Sequence, residues 1–360
     1  MTSSAKSLLD KTSRLRLLAL GLVLGATAVF GGLVLGFGGP LAGAAVLVAL
    51  VAGLVVLKDI EVGFWGVILV VCLLPFATLP FDIGLTPTFL DLALGSVFAI
   101  WALGLVTGRQ RTIVLSPLTL PLGLFIIVAL FSFIFGLSNG PLTPTLLRKF
   151  AELILSLAFV LVVIDFCTTW EHLERLVKVV LLAGGATAVI AIGLWVLPDD
   201  TANTLLNALQ RLGYPGGWVI RYIEENPELS ERAIGTSVDP NVLGGLLLMI
   251  GALAGPQLVA KRPLFTRWFT VILFGLIVMA LVLTFSRSAM LGLAAGLAYV
   301  AVLRYRRLLP YMVIAGLLFL LLPAAQGYVT RFVEGIQGQD LATQMRFGEY
   351  KDALILILRY

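Results

Sequence analysis

Long apolar runs, separated by short polar breaks, occupy most of the chain. Runs of spanning length fall at 15–36, 41–57, 61–79, 89–107, 118–136, 146–166, 173–197, 241–260, 268–284, 288–304 and 308–322. Each is close to the roughly 20 residues a helix needs to cross a bilayer. The breaks carry Gly, Pro or charge, as turns require. A twelfth run starts near Asp352 with Ala353-Leu354-Ile355-Leu356-Ile357-Leu358 and meets Tyr360 before reaching spanning length. Only helices satisfy their backbone in lipid over such runs. The pattern therefore predicts an all-α, polytopic integral membrane helix bundle of about 11 spans plus a truncated twelfth, with a partly helical outer (periplasmic) loop subdomain.

Composition removes the competing classes. Of 360 residues, 59% are hydrophobic and 12% charged, about half the charge that covers a soluble domain. Disordered, collagen-like and disulfide-stapled chains are excluded as well. The net charge of +5 matters less than its placement. With the N-terminus in the cytoplasm, the tight inner loops collect cations such as Lys58, Arg109, Arg111, Lys261, Arg262, Arg304, Arg306 and Arg307, while the outer turns near 36–41 and 80–88 hold none. That asymmetry sets the orientation. Ala26-Thr27-Ala28 imitates a leader cleavage site, but the apolar run continues through Leu35, so an uncleaved first helix is expected.

Few residues offer metal or nucleophile chemistry. Cys72 lies within a span and Cys167 at an inner membrane end, too far apart in depth to pair, and no spacing resembles a zinc set. His172, the single histidine, is expected in a solvated inner loop beside Glu171 and Glu174. Neither a metal nor another cofactor is expected. Small-residue pairs at Gly21/Gly25, Gly32/Gly36, Gly251/Gly255 and Gly292/Gly296 predict close helix packing.

The polar residues concentrate in two outer segments, 198–240 and 323–351. In the first, Thr201–Leu212 reads as a short interfacial helix with Leu205, Leu206, Leu209 and Leu212 on one face. Tyr214, Trp218 and Tyr222 suit the headgroup level. Loops longer than about 15 residues are usually functional or disordered, and these are too rich in apolar residues for plain linkers. Arg148 and Glu152 sit one helical turn apart at the outer start of a span. Arg287 occupies the short turn Thr284-Phe285-Ser286-Arg287-Ser288, where its guanidinium can fork onto phosphate oxygens. Four outer arginines, Arg148, Arg232, Arg287 and Arg346, predict a site for an anionic lipid-linked ligand.

Three stretches resemble the O-antigen ligase and polymerase family of bacterial membrane proteins. Arg232-Ala233-Ile234-Gly235-Thr236-Ser237-Val238-Asp239-Pro240-Asn241-Val242-Leu243-Gly244 resembles the family's Arg-x-x-Gly…Pro-Asn lead into a helix. Leu283-Thr284-Phe285-Ser286-Arg287-Ser288-Ala289-Met290-Leu291-Gly292 is similar to its Thr-x-Ser-Arg-(Gly/Ser)-Ala motif. Met345-Arg346-Phe347-Gly348-Glu349-Tyr350-Lys351-Asp352-Ala353-Leu354 looks like the lead into its next span. The resemblance covers about residues 115–360, leaving 1–114 as N-terminal membrane helices. Family members continue with a Pro…Gly-x-Gly stretch, more outer loop and an outer histidine, so this chain is expected to lack part of that apparatus and to have impaired activity.

The resemblance implies lipid-linked oligosaccharide transfer at the outer face of the bacterial inner membrane. A polyprenyl-diphosphate donor, such as undecaprenyl diphosphate carrying a glycan, would pass its sugar to a glycan or lipid-linked acceptor, as in lipopolysaccharide and surface polysaccharide biosynthesis. Catalytic roles then fall to Arg287, Arg232 and Asp239, with the diphosphate held by Arg287, Arg232, Arg148 and Arg346. Asp239 is a base, a partner of Arg232 or simply a helix cap. Membrane lipids are partners and nucleic acid is not. Two other classes remain open: a secondary transporter of a small anion such as bicarbonate, and a non-catalytic scaffold of a glycan export complex.

Overall fold

A computed structural model describes residues 59–79, 86–108, 113–321, 337–338 and 341–359. The runs at 15–36 and 41–57, the pairs Gly21/Gly25 and Gly32/Gly36, and Arg331 lie outside the described residues. Nine apolar runs become helices: α1 (Ile60–Leu73), α2 (Phe89–Val106), α3 (Thr119–Gly136), α4 (Pro144–Phe166), α5 (Trp170–Val196), α7 (Pro240–Gln257), α8 (Arg267–Leu283), α9 (Arg287–Arg304) and α10 (Leu309–Leu321). The outer loop contributes α6 (Asp199–Ala208) and a two-strand ladder, β1 (Arg221–Tyr222) with β2 (Glu231–Arg232). After α10 comes α11 (Leu341–Arg359).

The described structure is thus helical, as expected, and α2, α3, α5 and α9 are long and apolar enough to cross a membrane. One run comes out shorter than its apolar extent, and one outer segment comes out more helical than expected. The run 61–79 is helical only to Leu73, because Pro75 follows and leaves Leu74–Leu79 as turn and extended chain. The outer segment 323–351 is not all loop: helix α11 begins at Leu341 and carries Arg346, Glu349 and Lys351 into the last apolar run without a break.

Local chemistry starts these helices where the sequence allows. Asp59 accepts the Glu61 N–H at the start of α1, and Thr88 and Asp91 form a reciprocal capping box on α2. Thr143 and Thr169 cap α4 and α5. These side chains satisfy backbone donors that the first helical turn leaves without partners.

Two apolar cores share α5. One joins α5, α7, α8 and α9 around Leu181, Leu243, Leu247, Ile277 and Leu281; the other joins α1, α2, α4 and the foot of α5 around Phe64, Val97, Val162 and Leu176. Glycine makes the first core close. A methyl group on Gly184 would lie 2.5 Å from Ile250, and one on Gly251 would lie 3.1 Å from Leu293. Gly292 meets Leu248 across the same interface, so the Gly251/Gly255 and Gly292/Gly296 pairs do pack helices inside the chain. On α3, by contrast, no residue is buried. Its exposed Phe125, Phe131 and Phe135 present the kind of apolar surface that belongs against lipid or a partner.

Several charges near helix ends are paired. At one level Arg175 of α5 meets buried Glu61 at 3.1 Å, and Asp165 accepts from Trp101 Nε1 and the Val114 N–H, each at 2.7 Å. His172 belongs to the first turn of α5 rather than to a solvated loop: its Nδ1 lies 3.0 Å from the Phe166 carbonyl and its ring stacks on Phe166. At the other level Arg148 meets Asp91 at 3.3 Å and Glu152 at 3.8 Å.

Candidate functional site

The loop from α5 to α7 folds over the bundle end on a small core of its own. Leu206, Val219 and Ile234 are buried there, with Leu194, Leu209 and Val238 against them. The helix expected at 201–212 is α-helical over Asp199–Ala208 and tightens to a 3₁₀ turn over Leu209–Leu212. Its leucine face does not all turn to the interface: Leu206 is buried beneath the loop, while Leu205 is exposed. Tyr214 is buried against Phe76, whereas Trp218 is exposed. Hydrogen bonds bind the loop to the bundle. Thr78 N–H donates to the Leu212 carbonyl at 2.7 Å, Trp195 Nε1 to the Glu231 carbonyl at 3.2 Å, and Ala233 N–H to the Leu283 carbonyl at 2.8 Å.

The last of these bonds brings β2 to the α8–α9 turn, and Arg232 completes the junction. Its Nε donates to the Thr284 carbonyl at 2.9 Å, and a terminal nitrogen donates to Asn241 Oδ1 at 3.1 Å. One guanidinium thus ties the loop to the end of α8 and to the start of α7. Thr284 and Ser286 of the turn are buried, and the Thr284 hydroxyl accepts the Ser286 N–H at 3.2 Å. Arg287 follows as the first residue of α9 and is half-buried. The start of α7 presses on the same turn: a Cβ on Gly244 would come 3.0 Å from those of Ser286 and Ala289.

Two of the residues that shape this junction adopt the left-handed region. Val238 has φ 58° and Phe285 has φ 52°. For non-glycine residues, and for β-branched valine most of all, such a backbone is rare and costs of the order of 1–3 kcal/mol. Asp239 then accepts the Asn241 and Val242 N–H groups at 2.7 and 3.0 Å, which makes it the cap of α7. Pro240 follows at the first helical position, where its missing N–H costs nothing.

The junction gathers positive charge from two sources. Arg232 and Arg287 supply full charges, and the start of α9, which no side chain caps, adds the partial positive charge of a helix N-terminus, while Asp239 takes the Asn241 and Val242 N–H groups at the start of α7. Backbone N–H groups and guanidinium forks at one point suit an anion with several oxygens. Of the four arginines predicted from sequence, the structure brings Arg232 and Arg287 to this junction. Arg148 is held by Asp91 and Glu152 at the ends of α2 and α4, and Arg346 is exposed on α11.

Glu231, next to Arg232, was not singled out by the sequence. It faces Tyr222 across the β1–β2 ladder, and the Tyr222 hydroxyl donates to Asp199 at 2.5 Å. Burial, then the charge of Asp199, pushes the Glu231 carboxyl up to about 7. The hydrogen bond to Asp199, followed by burial, pushes the Tyr222 hydroxyl up to about 12. No spacing motif marks Glu231, because its environment is created by the fold of the loop. Among the described residues no cluster of His, Cys, Asp and Glu has the makings of a metal site.

Residues 272–360 match the family model described as O-antigen ligase. No curated protein and no solved structure matches the chain. The matched segment contains Arg287 and Arg346, while Arg232, Asp239 and Arg148 lie before it. Such a segment supports a general role in glycan transfer at a membrane. The family suggested by the three sequence stretches is thus the one whose model matches residues 272–360, a segment that contains two of those stretches.

Proposed function

We propose that the protein transfers a glycan from a polyprenyl-diphosphate donor to a sugar hydroxyl at the outer face of the bacterial inner membrane. The observation that carries this reading is the junction of Arg232, Asn241 and the Thr284 carbonyl beside Arg287, at the edge of the family-matched segment. In the reaction an acceptor hydroxyl attacks the anomeric carbon, the bond to the diphosphate oxygen breaks, and the lipid diphosphate departs with the electron pair. Negative charge grows on that oxygen. Preorganised guanidinium groups and the N-terminus of α9 stabilise it in a poorly hydrated site, the type of contribution that dominates many enzymes.

Arg287 and Arg232 hold the diphosphate in this account, and their positive field replaces a metal. Asn241 fixes Arg232, and Asp239 holds the start of α7 so that Asn241 faces it. Arg148 and Arg346 remain secondary contacts for the donor. The bundle sits with its N-terminus in the cytoplasm, its further spans are those of the apolar runs, and the Arg232–Arg287 end faces the periplasm. Ligase and polymerase share this donor chemistry and differ in the acceptor.

Complementation tests the reading. The gene is expressed in a strain lacking its own O-antigen ligase, with Arg287→Ala in parallel, and lipopolysaccharide is resolved on a gel. Long-chain lipopolysaccharide with the first and none with the second is expected. Equal restoration by both, at equal protein levels, refutes the role of Arg287.

A further inference from the structure

Helix α9 has a second cationic end. Its 18 residues run from Arg287 to Arg304, about 27 Å at 1.5 Å per residue, close to the thickness of a bilayer's hydrocarbon core. Arg304, Arg306 and Arg307 therefore lie about one membrane thickness from the Arg232–Arg287 junction, out of reach of a diphosphate held there. At this end the chain turns sharply. Tyr305 N–H donates to the Ala301 carbonyl at 2.8 Å, and a 3₁₀ turn over Arg306–Leu308 leads into α10. The turn and the chain just past α7 line an open groove of about 480 Å³, formed by Val259 and residues 303–308.

Cations dominate this stretch of the chain. From Pro240 to Val333 the sequence contains no Asp or Glu, while Lys261 and Arg262 of the α7–α8 connection and Arg267 at the start of α8 add to Arg304, Arg306 and Arg307. Among the described residues the ion pairs fall elsewhere, on Arg148, Arg175 and Arg221. Arg306 Nε donates to the Val302 carbonyl at 2.9 Å, which pins its guanidinium to the helix end and leaves its Nη edge for a ligand. Cations at a headgroup level, with no ion pair to them among the described residues, attract anionic lipid. The groove adds shape to that attraction. Its arginines suit a phosphate, and Val259, Leu303 and Leu308 give acyl chains an apolar wall.

The geometry points to a binding site for one anionic phospholipid, held by its phosphate between Arg304, Arg306 and Arg307, at the end of α9 opposite the proposed donor site. The inference rests on the helices lying in a membrane and not on glycan transfer. Native mass spectrometry of the purified protein tests it, with phosphatidylglycerol and phosphatidylcholine offered in equal amounts. One phosphatidylglycerol retained per chain, preferred by about a hundredfold as expected for three surface arginines, supports the site. The preference persists in Arg287→Ala, and it disappears in the combined Arg304→Gln, Arg306→Gln, Arg307→Gln variant. Arg307→Gln alone, the mildest change, weakens it. Equal retention of both lipids, or a combined variant that still prefers phosphatidylglycerol, overturns the inference. Displacement of the lipid by millimolar inorganic phosphate overturns its lipid part and assigns the arginines to a free anion.

Discussion

Replacing Arg232 by lysine keeps the charge and removes the fork. The native guanidinium makes two bonds in divergent directions, 2.9 Å to the Thr284 carbonyl and 3.1 Å to Asn241 Oδ1. A lysine ammonium is a point charge on a flexible stem and reaches one of these partners at a time. Each bond to a charged donor contributes about 1.5–3 kcal/mol, and an acceptor left unmade in a buried place costs about 1–3 kcal/mol. Thr284 is fully buried, so losing its carbonyl partner falls within that penalty. The expected loss of stability is about 2 kcal/mol. The expected loss of transfer rate is larger, about 100-fold, because misplacing a group by about 1 Å is enough for that. Thermal unfolding in nanodiscs and single-turnover transfer of a labelled lipid-linked glycan measure the two effects on the same preparation. Asn241→Ala, which removes one partner and leaves the charge, falls between wild type and Arg232→Lys in both. Wild-type unfolding and wild-type transfer in Arg232→Lys would refute the view that this guanidinium clamps the junction.

Other outcomes follow from the same geometry. Gly244→Ala places a methyl 3.0 Å from the Cβ atoms of Ser286 and Ala289. Neither neighbour can rotate its Cβ away, so the variant loses about 1–3 kcal/mol, read from its unfolding midpoint. Glu231 binds its proton more tightly in the folded loop than the ordinary value near 4.5 allows. The folded state is therefore penalised as pH rises from 4.5 to about 7, by about 1 kcal/mol once solvent screening is counted. Glu231→Gln abolishes this pH slope of stability, read from unfolding midpoints between pH 4.5 and about 7; a slope that persists in the variant contradicts the burial of this carboxyl as its cause. Val238→Gly relieves a left-handed backbone at φ 58° and raises stability by about 1 kcal/mol, whereas a loss on unfolding shows that the valine side chain matters more than the strain. Arg148→Gln leaves Asp91 and Glu152 close together without their shared cation, so it lowers stability; its effect on transfer is smaller than that of Arg287→Ala in the same assay.

The helices were legible because lipid imposes a simple rule: an apolar run must be long, helical and bounded by turn chemistry. Thr88, Thr143, Thr169 and Asp239 all stand where the sequence permits a cap, and each makes one. Hydropathy was a poorer guide to helix ends. It gave no weight to Pro75, which stops α1 at Leu73, and it read the polar residues before Asp352 as loop although they form the first turns of α11. Helix α6 was misjudged in its environment, since periodicity locates an apolar face and does not say whether lipid or a loop core covers it. The junction itself was half legible. Arg232 and Arg287 are distinctive because arginine at the end of a span needs a reason, but their meeting depends on a contact between residues 52 apart in sequence. Glu231 was invisible for the same cause: its raised carboxyl comes from burial and from Asp199, which the folded loop brings together.

The most direct test of the central claim is transfer by the purified protein with Arg287 altered least. A polyprenyl-diphosphate-linked glycan and an acceptor are supplied in nanodiscs, and release of polyprenyl diphosphate is followed together with formation of the new glycosidic bond. Wild-type protein produces both in equal amounts, and Arg287→Lys, well folded and equally abundant, is slower by about 100-fold or more, as for other lost stabilisers of developing charge. Transfer by Arg287→Lys at the wild-type rate would contradict the account, because the positive charge alone, without the fork, would then be sufficient.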